Sequence, residues 1–278
     1  MSLLIRRLHL VVKSGDFRPV NGLIAFLSVL SGGFVSGGLN RDTFLIALSV
    51  FFLVLGGNGI NDIFDMEVDR VNRPERPLPS GRVSRGLWTF LTVLFFVISL
   101  LLVIPAGVHH ITIAGIYVIL LSLYTPFFKP LPLLGNLVIA LLGGFAFIWG
   151  GLAGGSVLKT IYPGVFAFLI HLSREIVKDV EDFEGDRKAG LRTLPIIIGK
   201  DKSILLSFII LLMLFFTVVS SLWFYNVYYI FGMVVLVLIP LVVFIYTGLR
   251  KQPEPGVMQK RLKILMVSGL IAITLGGV

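Results

Sequence analysis

Nine apolar stretches, each near the length of a bilayer-crossing helix, follow one another along 278 residues. A hydrocarbon core about 30 Å thick takes roughly 20 residues of α-helix. The runs fall at about 17–38, 42–63, 85–105, 108–127, 133–154, 160–180, 203–224, 226–248 and 258–278. Gly, Pro and charge clusters separate them. In hydrocarbon, backbone N–H and C=O groups must be satisfied within the segment, so such runs fold as helices. The pattern predicts an all-α integral membrane protein of nine transmembrane helices. Only 14% of the residues are charged, against about a quarter in soluble domains. That excludes a disordered chain, a coiled coil and an ordinary soluble enzyme. The start of the chain, MSLLIRRLHLVVKSGDF, lacks a small-residue cleavage site and reads as an interfacial amphipathic segment.

The net charge of +9 could suggest a nucleic-acid partner, but the placement of the charges gives a different meaning. With nine spans, 22 of the 24 basic residues fall on one side, and only Arg41 and Lys159 on the other. The positive-inside rule then puts the N-terminus and the even loops in the cytoplasm and the C-terminus outside. No nucleic acid and no obligate protein partner is required.

The acids are more concentrated still. Of 15, five lie in 62–75 and seven in 175–201. Both segments contain D-x-x-D-x-x-x-D: Asp62, Asp65 and Asp69, then Asp179, Asp182 and Asp186. Each is followed by an Arg, then by R-P-L-P or R-T-L-P, and each closes an apolar run. This weak repeat suggests a single transmembrane domain over 1–278, made of two pseudo-repeated four-helix units plus a ninth helix.

Positions i, i+3 and i+7 lie on one helix face. Three carboxylates so arranged repel one another unless a cation sits among them. The chain has no cysteine, so the donors are oxygens, which suit a hard cation, Mg²⁺ above all. Asn61 offers a further oxygen. Around the triplets stand Arg70, Arg73, Arg76, Lys129, Lys178 and Arg192, which can hold phosphate oxygens that a metal leaves free. Acids for metal and bases for phosphate at a membrane surface point to a lipid diphosphate substrate. One acidic cluster beside basic residues is ordinarily a solvated, salt-bridged loop; two with identical spacing in a chain this poor in acids favour metal–phosphate binding. Glu67, Glu181 and Glu184 fall off the shared face and read as solvated or paired with Arg. Tyr124 offers an electron-rich ring to a carbocation or serves as a belt residue. His171 reads as a hydrogen-bonded structural histidine. Gly143, Gly144, Gly150, Gly151, Gly154 and Gly155 read as close helix packing.

The stretches NDIFDMEVDRVNRPERPLPSG (61–81) and REIVKDVEDFEGDRKAGLRTLP (174–195) resemble the signatures of the UbiA superfamily of intramembrane prenyltransferases, and YTPFFK (124–129) is similar to its Tyr/Lys loop. The resemblance implies a bundle with a cytoplasmic cap over a central cavity open sideways to lipid, and Mg²⁺-dependent transfer from a prenyl diphosphate. It makes Asn61, Asp62, Asp65 and Asp69 one metal motif and Asp179, Asp182 and Asp186 the other, with Asp65, Asp182 and Tyr124 as catalytic residues. It gives Arg73, Arg76, Lys129 and Lys178 to the diphosphate, and turns Arg18 and Asn21 toward the cavity. The long motifs look nearest to an archaeal branch, which implies geranylgeranyl diphosphate as donor and geranylgeranylglyceryl phosphate as acceptor. Branches with aromatic acceptors share the metal motifs. A transporter would instead place its acids at the midplane, and an alcohol phosphatidyltransferase would carry D-G-x-x-A-R, which is absent.

Overall fold

The computed structural model describes residues 17–251 and 253–276. Residues 1–16, most of the segment read as interfacial, lie outside it. Among the described residues every regular element is helical. In chain order these are α1 (Pro19–Ser36), α2 (Arg41–Phe64), α3 (Met66–Asn72), α4 (Arg85–Val103), α5 (Val108–Leu123), α6 (Leu134–Gly154), α7 (Ile161–Glu181), α8 (Phe183–Lys188), α9 (Leu194–Ile198), α10 (Lys200–Ser221), α11 (Val227–Met233), α12 (Ile239–Arg250) and α13 (Pro255–Leu275). A wide π turn, Tyr124–Phe128, prolongs α5, and another, Val234–Leu238, joins α11 to α12.

Helix ends follow the local chemistry. Asn40 caps α2 by accepting from the Thr43 N–H at 2.8 Å, and Asn226 caps α11. Pro19 and Pro255 stand in the first turns of α1 and α13, where their missing N–H costs nothing.

Seven helical stretches are long and apolar enough to cross a membrane: 19–36, 41–64, 85–106, 108–128, 134–154, 200–221 and 227–250. The outer faces expose Phe90 and Leu101 on α4, Ile209 and Phe216 on α10, and Val243 on α12. A water-soluble bundle would turn such residues inward; here they meet acyl chains. The protein is a multi-pass membrane protein. The long helices α7 and α13 also coincide with apolar runs, but Arg174, Glu175, Lys178, Asp179 and Glu181 gather at the end of one and Lys260, Arg261 and Lys263 at the start of the other.

The helices pack as α4–α2–α1–α6–α7–α10, and α13 closes back from α7 onto α1. The interface of α1 with α6 is built on glycine. A Cβ on Gly32 would stand 2.1 Å from the Phe147 carbonyl oxygen, and one on Gly150 2.0 Å from that of Val29. Gly143, Gly144, Gly151 and Gly154 are equally crowded, so their expected packing role holds; Gly155 instead ends α6 at φ 121° with nothing near it. A cavity remains between α1, α2, α5, α6, α7 and α13.

Candidate active site

Both α2 and α7 stop at the middle acid of their triplet. Asp65 has φ −84° and ψ 8°, and Asp182 φ −85° and ψ 2°. This is the sparsely allowed bridge between helix and strand geometry. The expectation of one continuous helix face per triplet is therefore corrected: two acids lie on or at the end of the long helix, and the third on the short helix that follows. The reason is packing. The breaks let α3 and α8 lie against each other. Asn72, the last residue of α3, donates to the Asp182 carbonyl and accepts from the Gly185 N–H, both at 3.0 Å. Gly185 leaves room for that amide, since a Cβ would stand 2.4 Å from Asn72 Nδ2 and displace it.

The two triplets face one another through their cations. Lys129 Nζ donates to Asp65 at 2.7 Å and lies 3.9 Å from Asp186. Arg73, from the first motif, pairs with Asp182 at 2.9 Å and Glu181 at 3.6 Å in the second. Arg76 bridges Asp69 at 2.6 Å and Asp62 at 3.4 Å, and Arg18 also pairs with Asp62. Asp179 accepts from Asn136 at 2.8 Å, and Asn61 from the Thr125 hydroxyl at 2.5 Å. Burial alone would lower the Lys129 pKa; Asp65 and Asp186 outweigh it and raise it, so the ammonium stays charged.

Among the described residues, no three Asp, Glu or His side chains stand close enough to chelate a cation as they are. A cation nevertheless fits. Asp186 is fully buried, and neither carboxylate oxygen has a hydrogen-bond partner. Its nearest cation, Lys129 at 3.9 Å, already donates to Asp65, so burying the Asp186 carboxylate favours a further counter-charge. Burial pushes its pKa up to about 6, opposed by Lys129 and reinforced by Asp182 and Asp65. In the metal-free protein Asp186 thus keeps its proton up to about pH 6, whereas the unfolded chain releases it near 3.8. The folded state binds more protons in that window, so this group's contribution to stability falls as pH rises from about 4 to about 6. Melting curves in chelator across that range will show a smaller loss for Asp186→Asn than for wild type; equal slopes would contradict the assignment.

The cavity beside these residues measures about 290 Å³. Its inner wall is apolar, with Ile24, Val50, Val54, Leu121, Leu142 and Met266. Its mouth is cationic, with Arg18, Arg73, Arg76, Arg174, Lys178 and Lys263, against Glu175 and Glu181. The end of α7, the segment after α3 and the starts of α1 and α13 carry the mouth residues, so they gather at one end of the bundle. Arg41 and Lys159 are bonded at the other end, where Arg41 reaches the Pro105 carbonyl and Tyr225 reaches that of Lys159.

Most sequence-derived candidates meet here. Arg18, Asn21, Asn61, Arg73, Arg76, Tyr124 and Lys178 line the cavity, and Lys129 is buried beneath the carboxylates. Tyr124 is buried in the π turn whose Lys129 N–H donates to the Tyr124 carbonyl at 2.7 Å. Two candidates do not join them: Arg70 is half exposed and paired with Glu67 at 2.7 Å, and Arg192 is exposed away from the cavity. Glu181 pairs with Arg73 and Glu184 is exposed, both as expected, with Lys200 beside Glu184 at 3.3 Å. His171 is not the hydrogen-bonded histidine expected; its ring lines the cavity, and its buried Nδ1 has no partner. Asn72, Asn136, Arg174, Gln259 and Lys263 were not singled out in the sequence. Lys263 carried a signal nonetheless, as the innermost of three cations at the start of an apolar run.

The sequence pattern of the UbiA prenyltransferase family matches residues 22–268. The chain belongs to that family. A digeranylgeranylglyceryl phosphate synthase of Methanosphaera stadtmanae is 33% identical over 264 residues, 93% of this chain and 96% of that protein. A solved structure of a digeranylgeranylglyceryl phosphate synthase superposes with a TM-score of 0.74 at 30% identity, covering 100% of this chain and 99% of that one. A UbiA homologue of Archaeoglobus fulgidus solved with DMAPP and Mg²⁺ shares the fold at TM-score 0.68 and 18% identity, covering 93% and 96%. This UbiA prenyltransferase therefore has its polar mouth and apolar cavity in a family fold of known chemistry.

Proposed function

We propose that the protein transfers a geranylgeranyl group from geranylgeranyl diphosphate to geranylgeranylglyceryl phosphate, as a digeranylgeranylglyceryl phosphate synthase. The observation that carries this reading is the paired aspartate breaks, with their Arg and Lys partners, at the mouth of an apolar cavity. The synthase relatives, matched over nearly their whole length, support the choice of substrates. The chain is read as one transmembrane domain of two four-helix units and a ninth helix, with α7 and α13 crossing the bilayer alongside the seven more apolar stretches. The short helices then cap the mouth on the cytoplasmic side, with the N-terminus inside and the C-terminus outside, as the basic residues require.

Asn61 and the carboxylates of Asp62, Asp65, Asp69, Asp179, Asp182 and Asp186 would hold Mg²⁺, whose chemistry is to neutralise the charge that develops on a leaving diphosphate. Arg73, Arg76, Lys129 and Lys178 hold diphosphate oxygens and stabilise the same charge. The C1–O bond of the donor breaks, and the allylic cation forms against the apolar wall, which excludes water. The Tyr124 ring faces it as an electron-rich surface. The glycerol hydroxyl forms the new C1–O bond, and its proton leaves to the departing diphosphate or a carboxylate of the site.

The test is purified protein with geranylgeranyl diphosphate and Mg²⁺, offered geranylgeranylglyceryl phosphate or an aromatic acid, with product masses measured. The expected product is the diether phosphate; an alkylated aromatic acid would overturn the assignment. EDTA abolishes turnover in the same assay and added Mg²⁺ restores it, whereas activity that survives chelation would remove the metal from the reading.

A further inference from the structure

At the cavity mouth the cations of α7 and α13 are less closely paired than those of the donor site. Arg73, Arg76 and Arg18 are each paired with aspartates of the two triplets. On α7 and α13 the pairing is sparser. Arg174 and Lys178 share the single carboxylate of Glu175, at 3.0 and 3.1 Å. Lys263 donates to the neutral Asn21 side chain at 3.0 Å, and no carboxylate of a described residue lies within ion-pair distance of it. The charges that act on it are those of Arg174 and Arg18. Arg174 and Lys178 thus share one ion-pair partner and Lys263 has none among the described residues, on a wall that continues as Ile24, Ala25 and Met266. Like charges at an apolar surface are costly unless an anion joins them.

The position of these groups separates them from the donor site. Arg174 lies eight residues before the Asp182 break, about 12 Å along the axis of α7. Lys263 lies eight residues into α13, which runs inward from the same end, so it reaches a similar depth. Gln259, one turn earlier on α13, donates to the Arg174 carbonyl at 2.9 Å and ties the two helices together. Lys178 follows Arg174 by one turn, on the side of the aspartates. An anion held by Arg174 and Lys263 is thus inward of the diphosphate and next to it.

We propose that Arg174 and Lys263, with Lys178 at the edge, form a second anion subsite that takes the phosphate monoester of the acceptor; this rests on the glycerol phosphate acceptor proposed above. A phosphate monoester, at about −1.5 to −2 at neutral pH, supplies the anionic partner that Lys263 lacks and that Arg174 shares with Lys178. The spacing matches as well. In a glycerol phosphate the free hydroxyl lies within two carbons of the phosphate ester. Anchoring the phosphate one turn from Lys178 brings that hydroxyl toward C1 of the donor, whose diphosphate is fixed at the aspartate breaks. An acceptor without phosphate would leave Lys263 without an anionic partner and Arg174 sharing Glu175, so the subsite selects as well as orients.

The test is steady-state kinetics on the purified full chain with Mg²⁺, varying each substrate in turn. Lys263→Gln and Arg174→Gln raise KM for geranylgeranylglyceryl phosphate roughly ten- to a hundredfold, the scale of one charged hydrogen bond. KM for geranylgeranyl diphosphate stays within about twofold, and Lys263→Arg recovers most of the loss. A rise in donor KM instead, or no change in acceptor KM, overturns the subsite alone. If wild type makes no product from geranylgeranylglyceryl phosphate, the acceptor assignment falls and the subsite with it. Should the variants not fold, wild type still decides: free glycerol phosphate inhibits competitively against the acceptor and not against the donor. Competition against the donor overturns the proposal.

Discussion

Asp65→Ala and Asp182→Ala each lower the rate of prenyl transfer by about a thousandfold or more, while the purified protein still folds. The rate loss follows from position. Each of these acids stands at a helix break, and each is held by a cation of the opposite motif or the neighbouring loop, Asp182 by Arg73 and Asp65 by Lys129. Removing one strips a proposed metal ligand and leaves its cation free to turn from the diphosphate. Losing a single preorganised group that stabilises a developing anion costs about 10² to 10³ in other enzymes, and here both functions fail together. Folding survives because each freed cation keeps a second carboxylate, Lys129 that of Asp186 at 3.9 Å and Arg73 that of Glu181 at 3.6 Å. Initial rates by product mass, beside melting curves of the same samples, check both halves. Full activity in either variant would sink the metal-site reading.

Gly150→Ala and Gly32→Ala act on the fold instead, destabilising it by about 1–3 kcal/mol or more. At each position the new methyl would lie about 2 Å from a backbone oxygen of the facing helix. A side chain could rotate away, but a carbonyl in a helix cannot, so α1 and α6 must separate. The cavity lies between these helices and their neighbours, so activity falls with stability. Gly115→Ala is the control: a Cβ there meets nothing within 4 Å, and alanine is the better helix former. Melting temperatures in a fixed detergent separate the outcomes; if Gly150→Ala melts with wild type, close packing is not what these glycines provide.

Lipid-facing segments are legible one at a time, because a membrane helix needs only its own length and apolarity. Seven of the nine runs coincide, to within several residues at each end, with the helical stretches long and apolar enough to cross a membrane, and the remaining two with α7 and α13. Two of them, α7 and α13, look less apolar than the rest because their charged ends line the mouth. The aspartate triplets were equally visible, since acids are rare here and their spacing repeats.

What lay beyond the sequence was direction and partnership. Regular spacing suggests a straight helix, yet Asp65 and Asp182 break it, because α3 and α8 gain packing and the Asn72 bridge by folding across. Proximity in sequence made Arg70 and Arg192 look like phosphate ligands, but the turn of the chain after each break points them away. Arg174 and Lys263 lie 89 positions apart, and only the closure of α13 onto α7 and α1 brings them to one wall. The sequence by itself determined which segments are long and apolar enough to lie in lipid and which residue types are suited to metal and phosphate, because both follow from local composition and spacing. Which of those residues share a cavity was decided by the tertiary structure, because a side chain at a helix end points wherever packing turns the chain.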